Sequence, residues 1–285
     1  QQLKSRIRSV KSTKQITKAM QMVAASKMRR AQEATKSSQA YTMAARELLT
    51  YLAAQGATNG HKWFTVRPVK SRLLIVVASD KGLAGAYNAN ILKSYVHELK
   101  SDDAANIANK TIAVGRKIAQ AATRIKDTEI VGTYEDLPDH FSGAEFHAIL
   151  NTAKDMFEAN QVDAVDVIFT RFVSSLTQRA DVVRLFPAGF TPTDNVQPDI
   201  AEARFEPSPK QIIDDIAYRL ISARLFQALM DSRASEHSMR MLAMKNATDN
   251  ATDLVDALTL EMNKARQAAI TQELTEISAG VEAMR

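Results

Sequence analysis

Residues 210–279 read KQIIDDIAYRLISARLFQALMDSRASEHSMRMLAMKNATDNATDLVDALTLEMNKARQAAITQELTEISA, and this stretch decides the fold. It contains neither glycine nor proline and is rich in Ala, Leu, Met, Lys and Arg, which are strong helix formers. Just before and inside it, Ser208, Pro209 and Gln211 supply an N-cap, a first helical residue and a capping-box partner. The pattern predicts one helix from residue 208 to the C-terminus, about 110 Å long at ~1.5 Å per residue.

The other end of the chain has a second stretch without helix breakers. All seven prolines and eight of the nine glycines lie between Gly56 and Pro209, so residues 1–55 contain neither residue type. They predict a helix of roughly 80 Å at the same rise per residue. Helices longer than a globular domain are stabilised best by packing on each other. We therefore predict an antiparallel coiled coil of the two terminal helices.

The apolar residues of the two helices are spaced differently. In the second helix they follow coiled-coil steps of three and four, with a shift of one position after Ala269: Val255, Leu258, Met262, Ala265 and Ala269, then Ile270, Leu274, Ile277 and Val281. In the first helix, Leu3, Ile7 and Val10 share one face, whereas Ile16, Met20 and Val23 lie roughly opposite. The second face predicts another contact, either with a third helix of this chain or with another protein.

The middle of the chain alternates short β-branched runs with helical stretches. The runs are Leu73–Ala78, Thr111–Val114, Glu129–Val131, Ala164–Thr170 and Val182–Phe186; the helical stretches lie near 88–100, 116–125 and 143–160, the last preceded by a capping box of Ser142 and Glu145. This alternation predicts a largely parallel, doubly wound, Rossmann-like α/β domain. The predicted divisions are 1–57 for the first coiled-coil helix, 58–207 for the α/β domain and 208–285 for the second helix.

The residues do not form a recognisable catalytic or cofactor site. Residues 80–85, DKGLAG, follow the first strand, but their spacing matches neither the dinucleotide fingerprint nor the P-loop, and we interpret them as a tight turn. The five histidines are scattered, and the pair His140 and His147 is only a weak metal-site candidate. The chain contains no cysteine, so thiolate metal ligands and cysteine nucleophiles are excluded. We predict no enzymatic activity of the chain alone, no cofactor and no metal.

Positive charge is concentrated at the N-terminus. The net charge is +5, but residues 1–36 contain ten basic side chains and one acidic side chain, Glu33. Such a field implies an anionic neighbour, which could be nucleic acid, a lipid surface or an acidic protein loop. A basic helical module that binds nucleic acid or anionic lipid is therefore the alternative function, although no aromatic residue, of the kind that usually accompanies nucleic-acid binding, lies within the basic residues 1–36.

Several sequence blocks resemble one family. Residues 16–28, ITKAMQMVAASKM, and residues 263–280, NKARQAAITQELTEISAG, are similar to the N- and C-terminal signatures of the γ subunits of F-type ATP synthases. Residues 234–250 and DKGLAG at 80–85 resemble two further blocks of the same family. The blocks occur in the family's order over nearly the whole chain. They are more similar to bacterial members than to mitochondrial ones.

The resemblance implies a function and a set of partners. The paired helices of this family stand inside a hexamer of α and β subunits, and the α/β domain lies near the c-ring and the ε subunit. Ion flow turns the ring and the shaft, and the shaft drives the catalytic β subunits through ATP synthesis, or in reverse during hydrolysis. Nucleic acid is not a partner, and the membrane is reached only through the c-ring. The implied location is the cytoplasmic face of the bacterial inner membrane, with the matrix side of the mitochondrial inner membrane as the alternative.

The resemblance also assigns roles to individual residues. Arg266 and Gln267 match a pair that contacts a loop of the β subunit, and Met20, with Lys18 beside it, matches the position near the acidic loop of β. Phe205 and Glu206 match the foot that meets the c-ring and ε. The alternatives are ordinary exposed polar residues for the first pair, a coiled-coil core methionine for Met20, and a plain linker turn for the foot.

Overall fold

The computed structural model describes residues 1–54, 56, 58–126, 128–138, 144–189 and 209–283. Their secondary structure elements are α1 (Gln2–Ala54), β1 (Ser71–Val77), α2 (Tyr87–Ala104), β2 (Ala108–Val114), α3 (Arg116–Ala122), β3 (Glu129–Tyr134), α4 (Ala144–Glu158), β4 (Ala164–Phe172), β5 (Gln178–Phe186) and α5 (Pro209–Ala283). Both breaker-free stretches are single helices, of 53 and 75 residues, as predicted. The proposed cap Ser208 and the capping-box residue Ser142 lie outside the described residues.

The strands form one five-stranded sheet in the order β3-β2-β1-β4-β5. Strands β1 to β4 are parallel, and β5 pairs antiparallel with β4 as an edge strand. This order confirms the prediction of a largely parallel, doubly wound sheet between two long terminal helices. The last strand is longer than its apolar run predicted, because Gln178 and the residues after it pair with the end of β4.

The central strand β1 is buried on both faces. Leu73, Ile75 and Val77 belong to a core shared with α4 and α5. Leu74 and Val76 belong to a second core, shared with α2 and α3. Successive side chains of a strand point to opposite faces, so a strand covered on both sides must be apolar at consecutive positions. This requirement explains the uninterrupted run LLIVV at residues 73–77.

The described chain divides into two compact units. One unit comprises residues 25–239, and the other comprises residues 1–24 and 240–285. In the larger unit, Leu49 and Leu52 near the end of α1 pack against Ile213, Ile216 and Leu220 near the start of α5. Earlier residues of α1, near Ala31, lie beside later residues of α5, near Met230. The two helices are therefore antiparallel in this unit, as predicted.

Candidate partner-contact surfaces

In the smaller unit, α1 and α5 pack against each other along one seam, to which each helix contributes one row of side chains. In each helix, one row of buried and half-buried positions advances by alternating steps of four and three. The rows are Leu3, Ile7, Val10, Lys14, Thr17, Gln21 and Ala24 in α1, and Met244, Thr248, Ala251, Val255, Leu258 and Met262 in α5; Met20, Ala247, Thr252, Thr259 and Asn263 are also half-buried. At the centre of the seam the hydroxyl oxygens of Thr17 and Thr248 are 2.8 Å apart. This buried hydrogen bond fixes the register of the pair.

The predicted second apolar face of α1 is not covered within the described residues. Ile16 and Val23 are 57% and 56% exposed. The prediction was wrong about Met20, which is half-buried at the border of the seam. The seam runs through the polar residues Lys14, Thr17 and Gln21, which an apolar pattern does not detect. Within the described residues, no third helix of this chain covers the face of Ile16 and Val23.

Lys18 and Met20 lie on different sides of α1. Lys18 is exposed, and its Nζ donates a hydrogen bond to Gln21 Oε1 at 3.3 Å. Residues two apart on a helix do not face the same direction. Five of the basic residues in the first five turns are exposed: Lys4, Arg6, Arg8, Lys11 and Lys18. The positive surface thus extends around α1 outside the seam.

The burial of α5 changes after Asn263. Asn263 is half-buried, and every side chain from residue 264 to residue 279 is exposed. We call residues 264–279 the exposed tip of α5. The prediction that the coiled coil continues through Ala265, Ala269 and the shifted stripe was therefore wrong.

The exposed tip carries the predicted β-contact residues and an apolar stripe. Arg266 and Gln267 are exposed in its first turn. Ile270, Leu274 and Ile277 follow and are 50%, 61% and 64% exposed. Apolar side chains grouped on one exposed surface are typical of a protein-binding site. The other predicted contact residues, Phe205 and Glu206, lie outside the described residues.

The DKGLAG segment forms a tight turn, as predicted. Leu83 and Gly85 adopt left-handed φ angles of 62° and 55°. Asp80 Oδ1 accepts hydrogen bonds from two backbone amides, those of Arg116 and Asp136, each at 3.0 Å. The amide of Arg116 belongs to the first residue of α3, where a doubly wound domain can bind a phosphate. Here the chain's own carboxylate occupies that position.

Helix α5 fills the rest of this edge of the sheet. Ligands of doubly wound domains bind outside the carboxyl ends of the strands. At the ends of β1 and β2, next to Asp80, the space is lined by Ser232, Arg233 and Glu236 of α5, and the remaining cavity has a volume of about 10 Å³. A cavity of this size accommodates about one water molecule. A nucleotide does not fit there.

Two of the described histidines have polar partners within the chain. His61 pairs with Asp214, and His147 Nδ1 lies 3.0 Å from the hydroxyl of Tyr218. His140, the other half of the weak metal candidate, lies outside the described residues. Among the residues that the structure describes, no group of three or more His, Cys, Asp or Glu side chains could hold a metal ion.

One carboxyl group with an altered pKa lies beside the filled edge. Asp231 is on α5 and only 8% exposed. Burial raises its pKa to about 6, and the nearby positive charge of Arg171 only partly opposes this effect. The sequence does not predict this burial, because an aspartate in the middle of a helix is usually exposed to solvent.

Comparisons with known proteins agree with the architecture. A sequence model of the family described as "ATP synthase" matches residues 1–284. The chain is 37% identical to the ATP synthase gamma chain of Heliobacterium modesticaldum and 38% identical to that of Desulforamulus reducens, in each case over 99% of this chain and 98% of the relative. The fold resembles a chain of the rotor of the Euglena gracilis mitochondrial ATP synthase, with a TM-score of 0.65 at 18% identity, over 94% of this chain and 97% of that one.

No helix in the described part of the chain combines the length and the apolar composition needed to cross a membrane.

Proposed function

The chain belongs to the ATP synthase gamma chain family, and from this premise we propose that it is the central rotor shaft of an F-type ATP synthase. In this role it transmits the rotation of a c-ring, driven by ion flow, to the catalytic β subunits for ATP synthesis, and it transmits rotation the other way during hydrolysis. The observation that carries the proposal is α5, a single helix of 75 residues with an exposed tip at residues 264–279. It is about 110 Å long at ~1.5 Å per residue, which is longer than a typical domain.

The shaft is non-catalytic in this proposal. The carboxyl edge of the sheet, where a nucleotide would bind, is filled by Asp80 and by α5. The chemistry of ATP then belongs to the β subunits, and this chain supplies only mechanical coupling. Its partners are the α and β subunits, the ε subunit and the c-ring, and it is held peripherally at the cytoplasmic face of the bacterial inner membrane.

Three surfaces serve as partner contacts. The exposed tip, with Arg266 and Gln267, contacts a loop of β. The exposed positive surface of α1, with Lys18, faces an acidic loop of β, since opposite charges favour this approach. Met20, on another side of the helix at the border of the seam, lies near the same loop in this proposal. Phe205 and Glu206, directly before α5, contact the c-ring and ε. The open apolar face of Ile16 and Val23 lies on the Met20 side of α1, and a partner protein can cover it.

Co-purification is the experiment that tests the function. A tagged form of this chain, expressed in its own cells and isolated in mild detergent, should bring down α, β and ε subunits together with the c-ring. The alternative of a nucleic-acid or anionic-lipid module is not supported by the relatives named above. It predicts instead that the isolated chain binds duplex DNA with an affinity that falls steeply with salt, because bound phosphates release counterions. Strong binding of this kind without the ATP synthase subunits would contradict the proposal.

The β contact is tested by replacing Arg266 with alanine in the assembled complex. Rotation-coupled ATPase activity should fall about tenfold, because a hydrogen bond to a charged group contributes ~1.5–3 kcal/mol and 1.4 kcal/mol is a factor of ten. Lys264→Ala is the matched control, since Lys264 is basic, exposed and two residues away on the same helix. Equal activities of the two variants would refute the assignment of Arg266.

A further inference from the structure

Three serines of α5 are buried where the helix crosses the sheet. Ser232, Ser235 and Ser238 are 1%, 0% and 0% exposed. They are three residues apart, so they form one gently curving row on the helix. We call this row the serine ladder. A buried hydroxyl is unfavourable unless it is hydrogen-bonded, so the partners of these side chains define their role.

The serine ladder is hydrogen-bonded to β4 and to the turn that follows it. The backbone amide of Thr170 donates to Ser232 Oγ at 3.1 Å, and Ser235 Oγ donates to the carbonyl of Thr170 at 3.2 Å. Ser238 Oγ donates to the carbonyl of Ser175 at 2.7 Å. Gln178, the first residue of β5, donates from Nε2 to Ser238 Oγ at 3.2 Å. The ladder thus binds the end of β4, the turn and the start of β5.

The ladder takes the place of a missing strand. β1 pairs with β4 only as far as Ile168, so β1 supplies no partners for the backbone groups of Thr170. Thr170 is 3% exposed, and water is therefore a poor substitute. A buried backbone group without a partner costs about 1–3 kcal/mol. Two serine hydroxyls of α5 supply the hydrogen bonds that a longer β1 would have made.

Much of the remaining interface between α5 and the sheet is apolar. Ile221, Leu225 and Leu229 belong to the core that α5 shares with β1 and α4. Apolar burial stabilises this interface, but it is non-directional and opposes a small rotation of the helix only weakly. Hydrogen bonds weaken steeply when their angle changes. The ladder is therefore a part of the interface that opposes both rotation of α5 about its axis and movement along that axis.

We propose that the serine ladder locks the sheet domain to α5, so that torque applied to the sheet domain passes into the helix without slip. The proposal rests on the rotor function inferred above and names residues that carry the torque. A second polar contact acts in the same direction: Arg233 Nη2 donates to the carbonyl of Leu137, beyond β3, at 2.6 Å. The segment 232–238 of α5 is thus bonded to both halves of the sheet's carboxyl edge.

The test measures torsional stiffness in the assembled complex. The catalytic hexamer is fixed to a surface and paused without nucleotide, and a bead is attached to the sheet domain through Lys100→Cys on the exposed side of α2. This cysteine is unique because the chain contains none of its own. The angular variance of the bead is compared between the wild-type background and the triple variant S232A/S235A/S238A. We expect the variance to rise about twofold or more, because the directional contacts of the ladder are lost.

A control at the same interface separates the loss of the ladder from a change in apolar packing. Ile221→Val removes one methyl group from the same interface and costs about 0.5–1.5 kcal/mol, but it leaves the ladder intact. Its angular variance should equal that of the wild type. Equal variance in the triple variant and in Ile221→Val would overturn the inference. If the triple variant does not assemble, Ser235→Ala alone is compared with the same control, and the same outcomes apply.

The outcomes also separate this inference from the proposed function. With ATP supplied, the bead on the wild-type background should rotate. A bead that never rotates would overturn the rotor function and the inference together. A rotating wild type with an unchanged ladder variant would overturn the inference alone. Hydrogen exchange of the Thr170 amide gives a local measurement in the same samples, and it should accelerate in the triple variant but not in Ile221→Val.

Discussion

Replacing Asp231 with asparagine should stabilise the chain, and more so at higher pH. The carboxyl group has a pKa of about 6 in the folded chain, against 3.8 when exposed. A group whose pKa is raised by folding binds a proton more tightly in the folded state. Its contribution to the free energy of unfolding is favourable below the pKa of the unfolded state and is lost as the pH rises through the pKa of the folded state. The full loss corresponds to about 3 kcal/mol, an upper value because the denatured chain is not fully solvated.

The pH dependence isolates this effect from other consequences of the substitution. About half of the loss, ~1.4 kcal/mol, develops between pH 5 and pH 8 by the same linkage relation. A change in packing or in the contact with Arg171 that does not depend on ionisation cancels when the two pH values are compared. The stability of Asp231→Asn relative to wild type should therefore be ~1.4 kcal/mol greater at pH 8 than at pH 5.

Urea unfolding of the full chain measures this difference. Trp63 is the only tryptophan and is 7% exposed in the core that α5 shares with the sheet, so its fluorescence reports the larger unit. Asp215→Asn is the control, because Asp215 lies on the same helix and is exposed. If Asp231→Asn and Asp215→Asn show the same change between pH 5 and pH 8, the reasoning about burial is refuted.

Two further predictions concern the seam and the turn. Thr17→Val should lower the free energy of unfolding of the helix pair by about 0.5–1.5 kcal/mol, because the hydrogen bond between the hydroxyls of Thr17 and Thr248 is lost while Thr248 Oγ1 keeps its hydrogen bond to the carbonyl of Met244. Thr248→Val should cost less in the Thr17→Val background than alone, because its partner hydroxyl is already gone. Circular dichroism melts of the three variants test this, and strictly additive losses would contradict it. Gly115→Ala should destabilise the sheet domain by several kcal/mol, because φ is +101° and the new Cβ would lie 2.3 Å from the carbonyl oxygen of Ala78. Gly82→Ala is the control, because its added Cβ meets nothing within 4 Å. Urea unfolding followed by Trp63 fluorescence measures both variants, and equal midpoints would refute the clash.

The elements of this fold are visible in the sequence because each one has a strong local signal. The lack of glycine and proline from residue 210 to residue 279 predicts α5, and the run at 73–77 predicts β1. Local signals suffice for these elements, because a long helix requires helix-forming residues and a strand buried on both faces requires consecutive apolar residues. The turn at DKGLAG was predicted from its position after a strand. Its function, in which Asp80 fills an anion position, needs the three-dimensional contact with Arg116.

The errors share one physical cause, which is that an apolar pattern does not identify what covers it. The stripe of α5 continues through Ile270 and Ile277, yet both side chains are exposed. In α1 the seam passes through Lys14 and Thr17, and a search for apolar residues misses both. The serine ladder was missed for a similar reason. Serines three apart in a helix are inconspicuous until the unpaired backbone of a strand is placed opposite them.

The filled carboxyl edge has a consequence for a rotor that works among nucleotides. A ligand shifts a conformational equilibrium only if it binds one state more tightly than another. The sheet has the topology of a nucleotide-binding domain, but Asp80 and α5 leave no room for such a ligand at the usual place. At the described ends of β1 and β2, nucleotide therefore has no site from which it could shift the conformation of the sheet.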